Sequence, residues 1–181
     1  MKYIKAFEIK LDKIKTKYLS QFGNNISEII RNSWLMDIDP YSIVKDKIED
    51  EIKKYGNAKR IIEFKDKEGG TPIFTASHKR RCDLIKLLVE NGANINHINK
   101  QKNTTLSIAI DLRESINLIS CLIDCGADLN YYYEDKNRNI ISIYNKIKQY
   151  EKQYPDYFNK LLTIDSIDML MNSKKYNLWN I

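Results

Sequence analysis

Thr71-Pro72-Ile73-Phe74-Thr75-Ala76, followed after a short gap by Leu84-Ile85-Lys86-Leu87-Leu88-Val89-Glu90-Asn91-Gly92-Ala93-Asn94-Ile95-Asn96, returns as a pattern about thirty-three residues further along the chain. In the second copy Thr104-Thr105-Leu106 stands for Thr71-Pro72-Ile73, and Leu118-Ile119, Leu122-Ile123 and Gly126-Ala127-Asp128-Leu129-Asn130 fill the rest of the frame. A period of this length marks a solenoid, in which each unit buries its apolar face only against its neighbours. Within a unit, Thr71 stands at the cap of a first helix, and Pro72 loses nothing at the first helical position because its missing N–H would be unpaired there. Leu84, Ile85, Leu87 and Leu88 form the buried stripe of a second helix that Gly92 ends in the left-handed conformation. Upstream, Asp66-Lys67-Glu68-Gly69-Gly70 reads as the tip of a hairpin finger, with two glycines supplying the positive φ of a tight reversal.

The second copy keeps the apolar slots but adds one residue between its helices, within Leu112 to Ile116. It also carries Thr105 where the first has proline, so its first helix is expected to start less sharply. After Asn130 the pattern fades. Asn139-Ile140-Ile141-Ser142-Ile143-Tyr144 reads as the start of another first helix, with Tyr144 in a small-residue slot. Some five extra residues, including Gln149 to Pro155, precede Tyr157, Phe158, Leu161 and Leu162.

Towards the N-terminus, Ile4, Phe7, Leu11, Ile14 and Tyr18 share one face of a helix over residues 2–19, with a short strand through Phe7, Ile9 and Leu11 as the alternative. Asn25 and Glu28 form a capping pair before Ile26, Ile29, Ile30 and Trp34. Asp39-Pro40 starts a helix bearing Val44, Ile48, Ile52 and Tyr55, and Gly56 stops it. A short helix over Ala58, Ile61, Ile62 and Phe64 would complete a helix pair before the first clear repeat.

On these residues the chain resembles an ankyrin-repeat protein. The resemblance implies an all-α solenoid of stacked helix pairs with β-hairpin fingers. Residues 1–38 are then a helical N-terminal extension, 39–65 an N-terminal cap or degenerate repeat, 66–98 and 99–132 two clear repeats, and 133–181 a degenerate repeat with a C-terminal cap. It also implies a non-catalytic module that binds a partner protein through the concave surface of finger tips and first helices. Carried over position by position, the first copy offers Lys67, Glu68, Gly70, His78 and Lys79, and the second Lys100, Gln101, Asn103, Asp111 and Leu112. The diverged third copy offers Asp135, Lys136, Arg138 and Lys146. The run Tyr131-Tyr132-Tyr133 falls in the next finger, and tyrosine is enriched at binding hot spots, although alternation along a strand buries at least one of the three. Two positions depart from the family. Phe74 replaces a polar histidine and is expected to pack on the next unit; Arg80-Arg81 replaces glycine and histidine and is read as a solvated turn ahead of a site for an acidic partner.

The chain has 181 residues, and its hydrophobic fraction of 43% suits one compact domain or a short solenoid. It has no run of eighteen apolar residues, and Lys2, Lys5, Lys10, Lys13, Lys15 and Lys17 interrupt its start, so neither a membrane span nor a secretory signal is expected. The net charge of +6 comes mostly from residues 1–65, with 14 basic and 10 acidic side chains, whereas residues 66–130 hold 8 of each. Acidic residues interrupt nearly every basic segment, which disfavours nucleic acid. The rival readings are nucleic-acid or membrane binding by the basic N-terminal helices, self-association through Ile4, Phe7, Leu11 and Ile14, and an effector or enzymatic segment in residues 1–65. That segment contains no histidine and no cysteine.

Cys82, Cys121 and Cys125 have no zinc or disulfide spacing, which suits a reducing compartment such as the cytoplasm. Cys121 takes the slot of Leu87 and is read as a small hydrophobe; the pairs His78/Cys82 and Cys121/Cys125 are too few for a metal site. No phosphate loop, nucleophile elbow or metalloprotease motif occurs, so no catalytic residue, cofactor or small-molecule substrate is expected. Lysine outnumbers arginine four to one, a sign of A+T-rich coding sequence. Such bias is frequent in intracellular bacteria and large DNA viruses, and from such a source the expected address is the host-cell cytoplasm.

Two clear units are too few for a stable stack, which needs about three. The flanking segments must therefore cap the repeats. Deleting residues 1–64 is expected to lower the melting temperature and broaden the transition followed by circular dichroism. A truncated chain that melts cooperatively at the full-length temperature would contradict this.

Overall fold

The helices begin and end where short polar side chains, prolines and glycines place their caps. In the computed structural model, which describes residues 25–33, 39–134, 140–165, 167 and 169, α1 (Ile26–Asn32) opens on Asn25, whose side chain accepts from the Glu28 N–H at 3.2 Å. Next, α2 (Pro40–Tyr55) opens on Asp39, which accepts from the Tyr41 N–H at 3.3 Å, and stops at Gly56 with φ 78°. The single turn α3 (Lys59–Ile62) leads to α4 (Pro72–His78), α5 (Cys82–Glu90), α6 (Thr105–Asp111) and α7 (Ile116–Asp124). A hairpin of β1 (Tyr132–Glu134) antiparallel to β2 (Ile140–Ser142) follows, with Tyr133 opposite Ile141, and then α8 (Ile143–Gln153) and α9 (Pro155–Leu161). The helix read over residues 2–19 and the residues Trp34, Leu170 and Met171 lie outside the described residues.

Four helix pairs stack: α1 with α2, α4 with α5, α6 with α7, and α8 with α9. An inner row runs α1, α4, α6, α8, each packed on the next, and α2, α5 and α7 form an outer row. One core runs through the stack, from Ile29, Ile30, Val44 and Ile48 through Ile73, Leu84 and Leu88 to Leu106, Leu118, Leu122, Ile147 and Leu161. Burying each of these aliphatic chains contributes about 1.5–3 kcal/mol. Ile164 and Ile167, within the segment expected to carry the C-terminal cap, are also buried.

The structure corrects three sequence-based expectations. The inner partner of α2 is α1, not the turn at Ala58 to Phe64, so the first stacked unit starts earlier in the chain. The second copy has the fuller cap. Thr104 accepts from the Ser107 N–H at 3.1 Å and Ser107 Oγ returns the contact to the Thr104 N–H at 3.0 Å, whereas Thr71 makes no side-chain cap bond. Phe74, at the position of Ser107, has no hydroxyl to make the returning half of such a box. The third register also moves by three residues. Ile140 to Ser142 pair as β2, and Ser142 caps α8 by accepting from the Asn145 N–H at 3.1 Å. This puts Ile147, not Tyr144, in the slot of Ala76 and Ala109, and of the five extra residues it moves three ahead of α8 and leaves two between the starts of α8 and α9. The one-residue insertion before α7 is present and places Ser115 as a cap that accepts from the Leu118 N–H.

Side chains tie each unit to the next. Tyr150 Oη donates to the Ile110 carbonyl at 2.6 Å, and Tyr157 Oη to the Glu114 carbonyl at 2.9 Å. Asn96 Nδ2 donates to the Gly126 carbonyl while its Oδ1 accepts from the Asp128 N–H at 2.8 Å. Arg80 holds Glu114 at 2.7 Å, and Arg81 binds both Asp83 and Asp39. Burial raises both tyrosine pKa values, that of Tyr157 to about 12.

These tyrosines make alkaline stability a readout of the last interface. Unfolded tyrosine loses its proton near pH 10. The folded phenols hold theirs longer, so the stability they contribute is fully present below about pH 10 and is lost as the pH rises towards about 12. Tyr157→Phe is expected to flatten this loss in urea melts at several pH values and to cost about 1 kcal/mol at neutral pH. Wild type and variant losing stability equally between those pH values would contradict the assignment.

Candidate partner-binding surface

The two fingers are the same turn built from different residues. In the first, the Asp66 carboxylate accepts from the Glu68 and Gly70 N–H groups at 3.0 and 2.8 Å, and the Asp66 N–H donates to the Gly70 carbonyl at 2.9 Å. In the second, Asn99 repeats both roles, accepting from the Asn103 N–H at 2.9 Å and donating its own N–H to the Asn103 carbonyl at 3.0 Å. The left-handed position is Gly69 in one finger, φ 76°, and Lys102 in the other, φ 58°. Gly69 is needed for a second reason: a Cβ there would meet the Lys100 backbone N at 3.1 Å, because the next finger lies directly upon it.

That closeness is held by hydrogen bonds. The Lys100 N–H donates to the Glu68 carbonyl at 3.0 Å, Lys100 Nζ to the Lys67 carbonyl at 2.7 Å, and Gln101 Nε2 to Glu68 Oε2 at 2.5 Å. His97 Nε2 lies 2.8 Å from the Gly69 carbonyl, a geometry that puts the ring proton on Nε2. One unit later Tyr131 takes that part, its hydroxyl donating to the Lys102 carbonyl at 2.9 Å. Phe74 meets His97 edge to face with centroids 6.2 Å apart, so it packs towards the next unit as expected.

Between these fingers and the inner helices lies a hollow of ≈ 370 Å³. Five of the residues proposed from sequence line it: Glu68, Gly70, His78, Lys79 and Gln101. Phe74, Thr75 and Ile108 form its floor, and Arg31, Asp66 and Asn99 complete its walls. Sequence reasoning missed these six. The repeat offset would have found Thr75 and Ile108, which are thirty-three residues apart at one position of the unit. Arg31 was hidden because α1 read as an extension and not as an inner helix.

The remaining proposed residues lie elsewhere. Lys67 and Lys100 are exposed on the stacked fingers, and Asn103 is half-buried in its turn. Asp111 and Lys146 bind each other at 2.6 Å with side chains only 15% and 16% exposed, which fills the inner surface between α6 and α8. Leu112 is half exposed beyond that pair. Tyr131 is half-buried in its tie to Lys102, Tyr132 is 63% exposed, and Tyr133 lies within β1. Asp135, Lys136 and Arg138 fall outside the described residues.

The turn arginines engage neighbours within the chain. Arg80 and Arg113 occupy equivalent left-handed positions, φ 53° and 54°, and while Arg80 reaches Glu114, the Arg113 guanidinium lies 4.0 Å from the Tyr154 ring centre. Cys121 is buried beside the Cys82 carbonyl, and burial raises its thiol pKa, which suits a packing role. Among the described residues no group of three His, Cys, Asp or Glu side chains is placed to hold a metal ion, and no helix is long and apolar enough to cross a membrane.

A family model describing ankyrin repeats in three copies matches residues 45–133, a span that takes in most of α2 and both stacked fingers. No curated protein sequence matches the chain at a significant level. The thirty-three-residue period, the inner and outer helix rows and the family match converge, and through residues 45–133 this chain belongs to the ankyrin-repeat family.

Proposed function

We propose that the protein is a non-catalytic interaction module that holds a partner protein on the concave face of its first three units. Ankyrin repeats are generally protein–protein interaction modules. The observation that supports the reading is the hollow, where five residues drawn from two fingers and one inner helix meet, with Gln101 holding Glu68 between the fingers and Lys79 in no ion pair among the described residues. The Asp111–Lys146 pair fills the corresponding surface one unit further on, which favours the N-terminal half of the face. Free thiols at Cys82, Cys121 and Cys125 support a reducing compartment such as the cytoplasm. A host cell supplies that compartment and the partner where the source is an intracellular bacterium or a large DNA virus.

Affinity capture from cell extract tests this with two variants. One replaces Glu68, His78, Lys79 and Gln101 with alanine; the other replaces Lys86 and Glu90, exposed on α5 of the outer row. The inner-face variant is expected to lose a stoichiometric partner at unchanged helicity, and the outer-face variant to retain it. The opposite pattern, or an identical partner set for both variants and the wild type, would contradict the proposal.

A further inference from the structure

The hollow has a chemical polarity that selects its occupant. Its floor is apolar through Phe74, 5% exposed, and the partly buried Ile108. On the finger side, the Asp66 carboxylate is spent on the Glu68 and Gly70 N–H groups and lies 3.9 Å from Arg31, which also binds Glu28. Glu68 has one oxygen engaged by Gln101. At the other end, about 10 Å away along the seven residues of α4, His78 binds the Phe74 carbonyl through Nδ1. Lys79 is exposed there and has no ion pair among the described residues. The hollow thus joins an apolar floor to an uncommitted cation at the helix end, with its acids on the opposite wall.

Resting on the proposed concave-face function, we infer that the hollow takes an apolar side chain of the partner immediately beside a carboxylate, with the carboxylate directed to Lys79. Glu68 across the mouth repels the reverse orientation and so fixes the direction in which the partner segment lies. The partner is therefore a protein with an exposed segment that pairs a leucine-like residue with Asp or Glu.

Amide chemical shifts of the full chain, titrated with capped tripeptides, test this. The probe acetyl-Asp-Leu-Glu-amide is expected to shift Phe74, His78, Lys79 and Ile108, and to bind about fivefold tighter than acetyl-Asn-Leu-Gln-amide, the scale of one exposed ion pair. It is also expected to bind tighter than acetyl-Asp-Ala-Glu-amide, which lacks the large apolar group. Lys79→Glu, at an exposed position, should abolish the preference for acid and shift it to acetyl-Lys-Leu-Lys-amide. Equal binding of the acidic and neutral probes, a wild-type preference for the basic probe, or no shift at these amides would each overturn the inference. The capture experiment reads the concave-face function separately: loss of a partner there alongside failure of the probes leaves that function standing with a different occupant.

Discussion

A helix of seven residues does not hold itself together in water, and both α4 and α6 are of that length. Their stability comes from the neighbours on either side, and this dependence governs the rest of the structure. It requires the buried slot that Ala76, Ala109 and Ile147 fill on successive inner helices, the leucine and isoleucine stripe of the outer row, and a terminal unit at each end to cover the last apolar face. It also explains why the fingers are ordered at all. Each is a tight turn whose free carbonyls are taken by the next unit, at Glu68 by the Lys100 N–H, at Gly69 by His97 and at Lys102 by Tyr131. The surface proposed to meet a partner is thus assembled by the same contacts that stabilise the stack.

The two ends of the concave face use this arrangement differently. Between the first and third units the groups on the finger side bind one another, Gln101 to Glu68 and Arg31 towards Asp66, and leave a hollow at whose other end Lys79 has no ion pair among the described residues. Between the third and fourth, Lys146 reaches Asp111, Tyr150 reaches the Ile110 carbonyl, and Tyr157 reaches the Glu114 carbonyl. Those bonds close the stack. The division is consistent with a recognition surface in the N-terminal half and a structural seal in the C-terminal half, with the hairpin of β1 and β2 projecting exposed Tyr132 and Ile140 beyond the seal.

Much of the fold was legible because the repeat shows each decisive residue twice. Asp39-Pro40, Gly56, Gly92 and the leucine stripes were read correctly since their physics is local: a cap, a stop, a buried face. Errors arose where a local signal competed with an unseen neighbour. Thr105 looked a weaker start than Pro72, yet the reciprocal cap depended on Ser107, three residues on from Thr104. Ile140 to Ser142 had a helix-like pattern, but pairing with Tyr132 to Glu134 made them strand and moved the register by three. Of the proposed binding residues, five meet at the hollow because they follow the repeat frame. Asp111 follows it too, whereas Lys146 takes the position of Thr75 and Ile108 once the third register moves, and a sequence does not reveal that two exposed-looking charges bind each other across units. Arg31 could be placed only once α1 was seen to be an inner helix.

Native-state hydrogen exchange provides the most direct test of the claim that stacking between units creates both the stability and the binding face. The amides to compare are those that bridge units or close a finger, at Lys100, Asp128 and Ile143, with core amides of α5 and α7. The expected result is an opening free energy at the bridging amides within about 1 kcal/mol of the core value, as for one cooperative body. Bridging amides that exchange almost without protection while α5 and α7 remain protected would contradict it, because the fingers would then be separate from the stack.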